Sequence, residues 1–269
     1  MTAPVRTIVG VGDTSIDVFT DGDPDAEPLL LLHPWFGSWR FWLPAMQLLP
    51  DRWCAAPDFY SLSNGPWDGL ATPQGLMTAV IACMDELGLD EVDVVGNSVG
   101  GIVAQLLAIE HPERVRRLVL VGTSAYTKGV SPLWAGEVAS WVDHPASAHR
   151  NGAARAVAVV TQSEIDPDEF DACVDAVESA DPQFVGTVLR TARSLDLRPD
   201  LHRITAPTLV VRGTLDPIRT PEHSAALVEG TPDAREFEIP GAGHAPYVDE
   251  PKMFVAELRR FLGAEGATA

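Results

Sequence analysis

The sequence predicts an α/β fold: a mostly parallel, eight-stranded sheet that is flanked by helices and interrupted by an inserted helical lid. Three observations predict this fold class. Short apolar runs alternate with helical segments, which is the order of right-handed βαβ units in a parallel sheet. One long Ala-rich stretch carries no strand pattern. Strand patterns then resume, so we interpret this stretch as an insertion into a single sheet domain.

The first half of the chain begins with two strands and a turn. Val5–Val11 and Ser15–Thr20 are alternating or apolar runs separated by Gly12 and Asp13, which predicts a β-hairpin. Leu29–Leu32 is apolar on both faces, as expected for a strand inside a parallel sheet. The alternation continues with strands at Trp53–Ala56, Val92–Val95 and Leu118–Val121 and with helices at Thr72–Leu87 and Val99–Glu110.

The second half of the chain begins with the predicted lid, which extends from about Tyr126 to Leu197. Sheet elements return after it, with strands at Thr208–Arg212 and Glu236–Ile239 and helices at Pro221–Val228 and Pro251–Leu262. We therefore divide the chain into residues 1–125 as the first part of the core, 126–198 as the lid and 199–269 as the second part of the core.

The composition excludes several classes of function. A net charge of −19 and a pI near 4.6 disfavour binding to nucleic acid and to anionic membranes. Cys54, Cys83 and Cys173 are widely spaced, which predicts buried reduced thiols and no metal site. The sequence contains neither a signal-peptide core nor an apolar run of about eighteen residues. We expect a cytoplasmic protein whose partner is a small-molecule substrate, and its oligomeric state stays open, with a homodimer as one option.

A glycine-flanked serine lies between a predicted strand and a predicted helix. The motif is Gly96-Asn97-Ser98-Val99-Gly100. A sharp turn in this context exposes the central side chain at the end of the strand, which is the arrangement that a serine nucleophile requires. A glycine-rich turn with a capping serine is the alternative interpretation. The strand, turn and helix order favours Ser98 as a nucleophile.

With this motif, the chain resembles the α/β-hydrolase family, and the resemblance extends over essentially its whole length. The family's order of catalytic residues is serine, acid, histidine. Asp216 lies in a segment that resembles the family's late strand and acid loop, and His244 lies in a loop that resembles its histidine loop. The alternative acid position, after the strand that ends at Val121, offers no carboxylate. The resemblance implies Ser98 as nucleophile, Asp216 as acid and His244 as general base, with no metal or organic cofactor.

The loop after Leu32 departs from the usual pattern of this family. The family has His-Gly before its oxyanion loop, and here Pro34 follows His33. Proline has no N–H group, but the resemblance implies that the donor is the next residue. We therefore expect the backbone N–H groups of Trp35 and Val99 to form an oxyanion hole.

The other histidines are interpreted as structural or solvated. We expect the His33 ring to bond the neighbouring loops. The remaining five are expected to be solvated surface positions, namely His111, His144, His149, His202 and His223.

Aromatic residues predict an apolar substrate pocket. Phe36 and Trp42 follow the first parallel strand, and Trp134 and Trp141 lie in the lid. If the lid tryptophans face inward, the four side chains would bind an apolar acyl or ring portion of the substrate. Packing between lid helices is the alternative for both tryptophans.

Three functions remain open from the sequence alone. The first is hydrolysis of a carboxylic ester or lactone of a small, partly apolar molecule through an acyl-enzyme on Ser98. The second is carbon–carbon bond hydrolysis of a vinylogous diketone, because the Gly-Asn-Ser elbow resembles that of meta-cleavage-product hydrolases. The third is a non-hydrolytic small-molecule receptor or biosynthetic protein on the same fold.

Overall fold

The computed structural model describes residues 3–127, 136, 141 and 150–263. Within them, eight strands form one sheet in the order β1-β2-β4-β3-β5-β6-β7-β8. The predicted eight-stranded sheet is therefore confirmed. The strands are β1 (Val5–Val11), β2 (Thr14–Asp21), β3 (Glu27–Leu32), β4 (Arg52–Asp58), β5 (Val92–Asn97), β6 (Val115–Val121), β7 (Thr208–Gly213) and β8 (Ala234–Ile239).

The sheet is antiparallel at one edge and parallel elsewhere. β2 pairs antiparallel with both β1 and β4, and all other neighbouring pairs are parallel. The side chains of Leu29–Leu32 in β3 are buried, and so is every residue of β5. These two strands, apolar over Leu29–Leu32 and over β5 except at Asp93 and Asn97, lie in the middle of the sheet, where helices cover both faces. The carboxyl ends of the parallel strands consequently share one edge.

Seven helices of more than two turns are described. For three of them, the capping residue directly before the helix explains where the helix starts. Thr72, Asp166 and Asp181 each accept a hydrogen bond from a backbone N–H of the first turn, and a proline follows each of them. The helices are α1 (Pro73–Glu86), α2 (Val99–Glu110), α3 (Arg150–Ala158), α4 (Pro167–Ser179), α5 (Pro182–Ser194), α6 (Pro221–Gly230) and α7 (Pro251–Phe261).

Helices α3, α4 and α5 lie within the segment predicted as the lid, and backbone pairing joins the two ends of that segment. The N–H of Leu197 donates to the carbonyl oxygen of Ala125 at 2.7 Å, and Tyr126 forms an antiparallel bridge with Asp196. A bidentate ion pair from Arg40 to Glu169, with distances of 2.7 and 2.9 Å, ties α4 to the loop after β3. The domain boundaries themselves stay a prediction.

One prediction about the histidines, the surface position of His223, was wrong. His223 was expected at the surface, but it is 1% exposed. Its Nδ1 accepts a hydrogen bond from the backbone N–H of Thr220 at 3.1 Å, so the ring completes a capping box at the start of α6. A histidine three residues after a capping threonine can take the place of the usual glutamate. His202 is exposed and His111 is partly exposed, whereas His144 and His149 lie outside the described residues.

None of the helices among the described residues combines the length and the apolar character needed to cross a membrane.

Candidate active site

Ser98 occupies a strained turn between β5 and α2. Its backbone φ of 55° makes it the single non-glycine residue with positive φ in the described part of the chain. Such a conformation costs about 1–3 kcal/mol and persists only where the surrounding structure enforces it. Here the Ser98 N–H donates to the carbonyl of Val121 at 3.0 Å, and the Ser98 carbonyl accepts from the hydroxyl of Thr123 at 2.7 Å. Ser98 therefore lies at the carboxyl ends of the neighbouring strands β5 and β6.

Two glycines allow this sharp turn. A Cβ atom at Gly96 would lie 2.4 Å from the carbonyl oxygen of Gly100, and one at Gly100 would lie 2.4 Å from that of Leu32. Both distances are far shorter than van der Waals contact, and both would be to backbone. A side chain at either position would push α2 away from the sheet, so both glycines are required for the position of Ser98.

His244 and Asp216 form a buried pair. The Nδ1 atom of His244 lies 2.9 Å from Oδ2 of Asp216, and the two side chains are 1% and 0% exposed. Oδ1 of Asp216 accepts backbone hydrogen bonds from Ile218 at 2.8 Å and Arg219 at 3.0 Å. Burial tends to raise the pKa of Asp216, but the charge and hydrogen bond of His244 and these two amides outweigh it, and the pKa is lowered. Asp216 is thus held as a carboxylate facing the imidazole.

The loop that carries His244 lies over the ends of β5 and β6. Gly122, directly after β6, has a φ of 49°, and a Cβ atom there would lie 2.6 Å from the His244 carbonyl oxygen and 3.1 Å from His244 Nδ1. Only a glycine leaves room for the ring. Because the preceding residue, Val121, binds the Ser98 N–H, the structure brings Ser98, Asp216 and His244 to one edge of the sheet.

Asn97 is a site residue that the sequence analysis used only as part of a motif. Its side chain is fully buried. The amide nitrogen donates to the carbonyl oxygens of Val121 at 2.8 Å and His244 at 3.0 Å, and its oxygen accepts from the hydroxyl of Tyr247 at 3.1 Å. One side chain therefore fastens the histidine loop to the end of β6. An amide at the carboxyl end of a buried strand, directly before the serine, is the signal that could have identified this role.

Asp249 connects the same loop to the lid segment, and sequence reasoning missed it. Its Oδ1 accepts from the backbone N–H groups of Gln162 and Ser163, both at 2.8 Å, and its Oδ2 accepts from Gly243 at 2.7 Å. The N–H of Ala245 donates to the carbonyl of Val160 at 2.9 Å. The histidine loop is consequently bonded on one side to the core and on the other to residues 160–163. Nothing in the sequence distinguishes Asp249 from the other acidic residues.

The loop after β3 reaches the start of α2. A Cβ atom at Gly100 would lie 2.7 Å from the carbonyl oxygen of His33, so the segment that contains Trp35 lies beside the helix that begins at Val99. Trp35 is 2% exposed, and its indole nitrogen donates to the carbonyl of Val185 in α5 at 3.3 Å. The assignment of the Trp35 and Val99 N–H groups to an oxyanion hole stays a prediction.

His33 shapes this loop, as predicted. Its Nδ1 bonds the carbonyl oxygen of Pro34 at 2.7 Å, and its Nε2 accepts from the N–H of Phe59 at 3.0 Å. Complete burial lowers the pKa of His33 to about 4, although the Pro34 bond acts in the opposite direction. The ring is therefore neutral at pH 7, with its proton on Nδ1. Its expected structural role is confirmed by these two bonds.

The predicted pocket residues occupy different environments. Phe36 packs on Trp141 of the lid with ring centroids 5.2 Å apart, and both side chains are buried. Trp42 stacks on Tyr247 at 3.7 Å and lies in the core. Trp134 lies outside the described residues. A role of these four residues in substrate binding stays a prediction, and for Trp42 the observed contacts are those of a packing residue.

The chain is similar to several known proteins. The sequence profile of the alpha/beta hydrolase family matches residues 29–258. The 2-hydroxymuconate semialdehyde hydrolase of Pseudomonas sp. strain CF600 is 36% identical over 117 residues, which are 40% of this chain and 41% of that protein. The pimeloyl-[acyl-carrier protein] methyl ester esterase of Neisseria meningitidis serogroup C is 27% identical over 89% of this chain and 95% of that protein.

A solved structure shows the same fold. The enol-lactonase from Burkholderia xenovorans LB400 superimposes with a TM-score of 0.82 at 23% identity, covering 96% of this chain and all of that one. Together with the profile match over most of the chain, the eight-stranded sheet and the strained serine after β5, this likeness has one consequence. The chain belongs to the alpha/beta hydrolase family and is an α/β-hydrolase enzyme.

Proposed function

We propose that the protein hydrolyses a carboxylic ester or lactone of a small, partly apolar molecule through an acyl-enzyme on Ser98. The observation that carries this proposal is the buried His244 and Asp216 pair, with 2.9 Å between Nδ1 and Oδ2, at the sheet edge where Ser98 lies. A serine hydroxyl is a weak nucleophile unless a base takes its proton, and a base of this kind needs an orienting acid.

Each residue has a defined role in this mechanism. Ser98 Oγ attacks the carbonyl carbon while His244 Nε2 takes its proton, and Asp216 holds the imidazole with its other proton on Nδ1 and stabilises the imidazolium. The N–H groups of Trp35 and Val99 donate to the oxyanion, and the N-terminal end of α2 adds a favourable dipole. His244 then protonates the leaving alcohol, and water repeats the cycle on the acyl-enzyme. These steps use only groups of the chain and water.

The names of the relatives support this chemistry as a proposal for the present chain. One relative is called a methyl ester esterase, and a structural neighbour is called an enol-lactonase. Both names refer to an ester bond, since a lactone is a cyclic ester. The two proteins are aligned over 89% and 96% of this chain.

Carbon–carbon bond hydrolysis of a vinylogous diketone is the second candidate. The relative called a 2-hydroxymuconate semialdehyde hydrolase favours it, and the Gly96-Asn97-Ser98 elbow suggested it from the sequence alone. The loop Pro34-Trp35-Phe36-Gly37 differs from the glycine-rich Gly-x-Gly-Pro loop that those enzymes carry. Because the buried Asn97 already has a structural role in holding His244, its presence favours neither bond type. We therefore rank ester or lactone hydrolysis first.

Labelling with a fluorophosphonate tests the mechanism, and a substrate panel tests the bond type. Wild-type protein should be labelled on Ser98 and should hydrolyse short nitrophenyl esters. Ser98→Ala should lose labelling and about 10⁴- to 10⁶-fold in kcat. Ser194→Ala, an exposed serine on α5, is the matched control and should retain both. A Ser98→Ala protein with a tenth of wild-type activity would contradict the mechanism.

The panel contains esters, lactones and dienone diketones of similar size. Faster turnover of esters or lactones supports the first candidate, and faster turnover of a diketone supports the second. Tight binding of these compounds without any turnover would instead favour the non-hydrolytic receptor and would overturn the proposal.

A further inference from the structure

The loop after β3, residues 33–42, is joined to helix α4 by two polar contacts among the described residues. Arg40 Nε lies 2.7 Å from Oε2 of Glu169, and Arg40 Nη2 lies 2.9 Å from Oε1. One turn further along α4, the Sγ atom of Cys173 lies 3.4 Å from Oγ of Ser38. The paired residues are 129 and 135 positions apart in the chain. These contacts therefore hold a loop of the core against the segment predicted as the lid.

The Arg40 side chain is also held from the side of the core. Its backbone N–H donates to Oγ of Ser38 at 3.2 Å, where the short 3-10 helix Trp39–Trp42 begins. Its guanidinium carbon lies 5.3 Å from the ring centroid of Trp39, which is within the range of a cation–π contact. The Trp39 ring stacks on Phe19 of β2 with the centroids 3.9 Å apart. The guanidinium is therefore fixed between the sheet and α4.

The geometry of this ion pair differs from that of an ordinary surface pair. A surface pair of two freely moving side chains contributes little, whereas a bidentate arginine–carboxylate pair is stronger and fixes the relative orientation of its two groups. The side chains of Arg40 and Glu169 are each 34% exposed, so the pair is only partly solvated. Both carboxylate oxygens of Glu169 accept a hydrogen bond. The pair can therefore set the position of the loop relative to α4.

Close packing inside the loop links Arg40 to the residues before it. A Cβ atom at Gly37 would lie 2.8 Å from the ring of Phe41 and 3.0 Å from Cγ of Pro34. Both distances are shorter than van der Waals contact, so the chain folds back on itself between the two residues. A displacement at Arg40 is consequently passed on to Trp35, because the intervening residues have no free space.

The same loop carries the proposed oxyanion donor, the N–H of Trp35. The start of the loop lies beside α2, since a Cβ atom at Gly100 would lie 2.7 Å from the carbonyl oxygen of His33. The indole nitrogen of Trp35 donates to the carbonyl of Val185 in α5 at 3.3 Å. The loop is thus held between the first turn of α2 and two helices of the lid segment.

We propose that Arg40 and Glu169 are positioning residues of the reaction, whose ion pair holds the loop so that the N–H of Trp35 stays directed at the oxyanion. The inference rests on the proposed function, and it makes the rate depend on a residue of the lid segment. A displaced donor weakens binding of the transition state more than binding of the substrate, because the oxyanion forms only when the carbonyl is attacked. Loss of the pair should therefore lower kcat and leave KM nearly unchanged.

Steady-state kinetics on a nitrophenyl ester test the proposal. Arg40→Met and Glu169→Met should each lower kcat by about tenfold, less than the loss of about 10²- to 10³-fold for a whole oxyanion donor, with KM within about twofold of wild type. The double variant should be no slower than either single one, because all three lack the same contact. Arg40→Lys keeps the charge without the planar pair of donors and should recover part of the rate.

Arg114→Met is the matched control. It removes an ion pair to Asp85 with the same shortest distance, 2.7 Å, and Arg114 directly precedes β6 at the end of the sheet opposite to Ser98. This variant should keep the wild-type kcat. All variants are expected to fold, because removal of a partly exposed ion pair costs little stability. A thermal melt checks this, and Arg40→Lys replaces Arg40→Met if the latter does not fold.

Fluorophosphonate labelling and hydrogen exchange separate this proposal from the proposed hydrolysis. The rate constant for labelling of Ser98 should fall about tenfold in Arg40→Met, because the phosphoryl oxygen binds the same donors. A wild type that is not labelled would contradict the proposed function, and exchange then decides whether the pair holds the loop. The amides of residues 35–42 should exchange faster in Arg40→Met and Glu169→Met and at the wild-type rate in Arg114→Met.

Three outcomes would overturn the inference. The first is unchanged exchange of the loop amides in both variants of the pair. The second is faster exchange with wild-type kcat and labelling, which would mean that the position of the loop does not affect the reaction. The third is a higher KM with unchanged kcat, which would mean that the ion pair of Arg40 and Glu169 only shapes substrate binding.

Discussion

The side-chain amide of Asn97 donates a hydrogen bond of 3.0 Å to the backbone carbonyl of His244, 147 positions later in the chain. The residue directly before the candidate nucleophile therefore fixes the loop of the candidate base. The same amide also bonds the carbonyl of Val121. Ser98 and His244 are thus positioned through one shared buried side chain.

Asn97→Ala is expected to lower kcat by about 10- to 100-fold and to destabilise the fold by about 2–4 kcal/mol. The variant leaves the carbonyl of His244 and the hydroxyl of Tyr247 buried without partners, and each such loss costs about 1–3 kcal/mol. Steady-state kinetics and urea unfolding measure the two effects. Tyr247→Phe is the control, because it removes the bond to Asn97 and keeps the bond from Asn97 to His244. Equal kcat values for the two variants would contradict this role of Asn97.

Asp249→Ala should loosen the histidine loop and residues 160–163 together. Its carboxylate accepts three backbone N–H groups, from Gln162, Ser163 and Gly243, and each bond contributes about 1 kcal/mol. Hydrogen exchange of these three amides should accelerate, and kcat should fall more than KM rises. Asp249→Asn retains one acceptor oxygen and should show an intermediate effect. Faster exchange on only one side of Asp249 would contradict the coupling.

Asp216→Asn should reduce kcat by about 10⁴-fold without unfolding the protein. An amide can still accept from Ile218 and Arg219 through its oxygen, but its NH₂ group then faces His244 Nδ1 and forces the imidazole proton onto Nε2. That tautomer cannot accept the proton of Ser98. Asp196→Asn, which alters an exposed carboxylate paired with Arg198, should keep full activity. Survival of activity in Asp216→Asn would require a different acid.

The free energy of unfolding of Asp58→Asn, compared with that of the wild type, should increase as the pH rises. Burial raises the pKa of Asp58 from 3.8 to about 6. A carboxyl group with a raised folded pKa makes the folded state less stable as pH increases from the unfolded pKa through the folded one. The free energy of unfolding of the variant, relative to wild type, should therefore increase by up to about 3 kcal/mol between pH 4 and pH 7. Denaturant unfolding at both pH values measures it, and a constant difference would contradict the shift.

The fold could be predicted because its signals are local. The apolar run Leu29–Leu32 indicates a buried central strand, and the structure has β3 in that position. The segments around Ser98, Asp216 and His244 each follow a strand, and the carboxyl ends of parallel strands meet at one edge. Chain order and strand ends are properties of the sequence, so the location of these residues followed from it.

The supporting contacts could not be predicted, because they depend on distances between remote segments. Asp249 has the same local character as many exposed acids, and its three amide partners become visible only when residues 160–163 are folded against the histidine loop. His223 looked like a surface residue, since its sequence neighbours are polar, yet it caps α6.

The backbone hydrogen bond between Ala125 and Leu197 has a consequence for how an enzyme of this fold can acquire a new substrate selectivity. Because the two ends of the lid lie within one hydrogen bond of each other, a lid of another length or composition can be exchanged there without stretching the core. The exchange has a constraint at the histidine loop: the incoming segment must present a backbone carbonyl where Val160 meets Ala245 and two N–H groups to Asp249. A transplanted lid that lacks these three backbone groups would leave the histidine loop less firmly held, and it would therefore change the catalytic rate as well as the substrate selectivity.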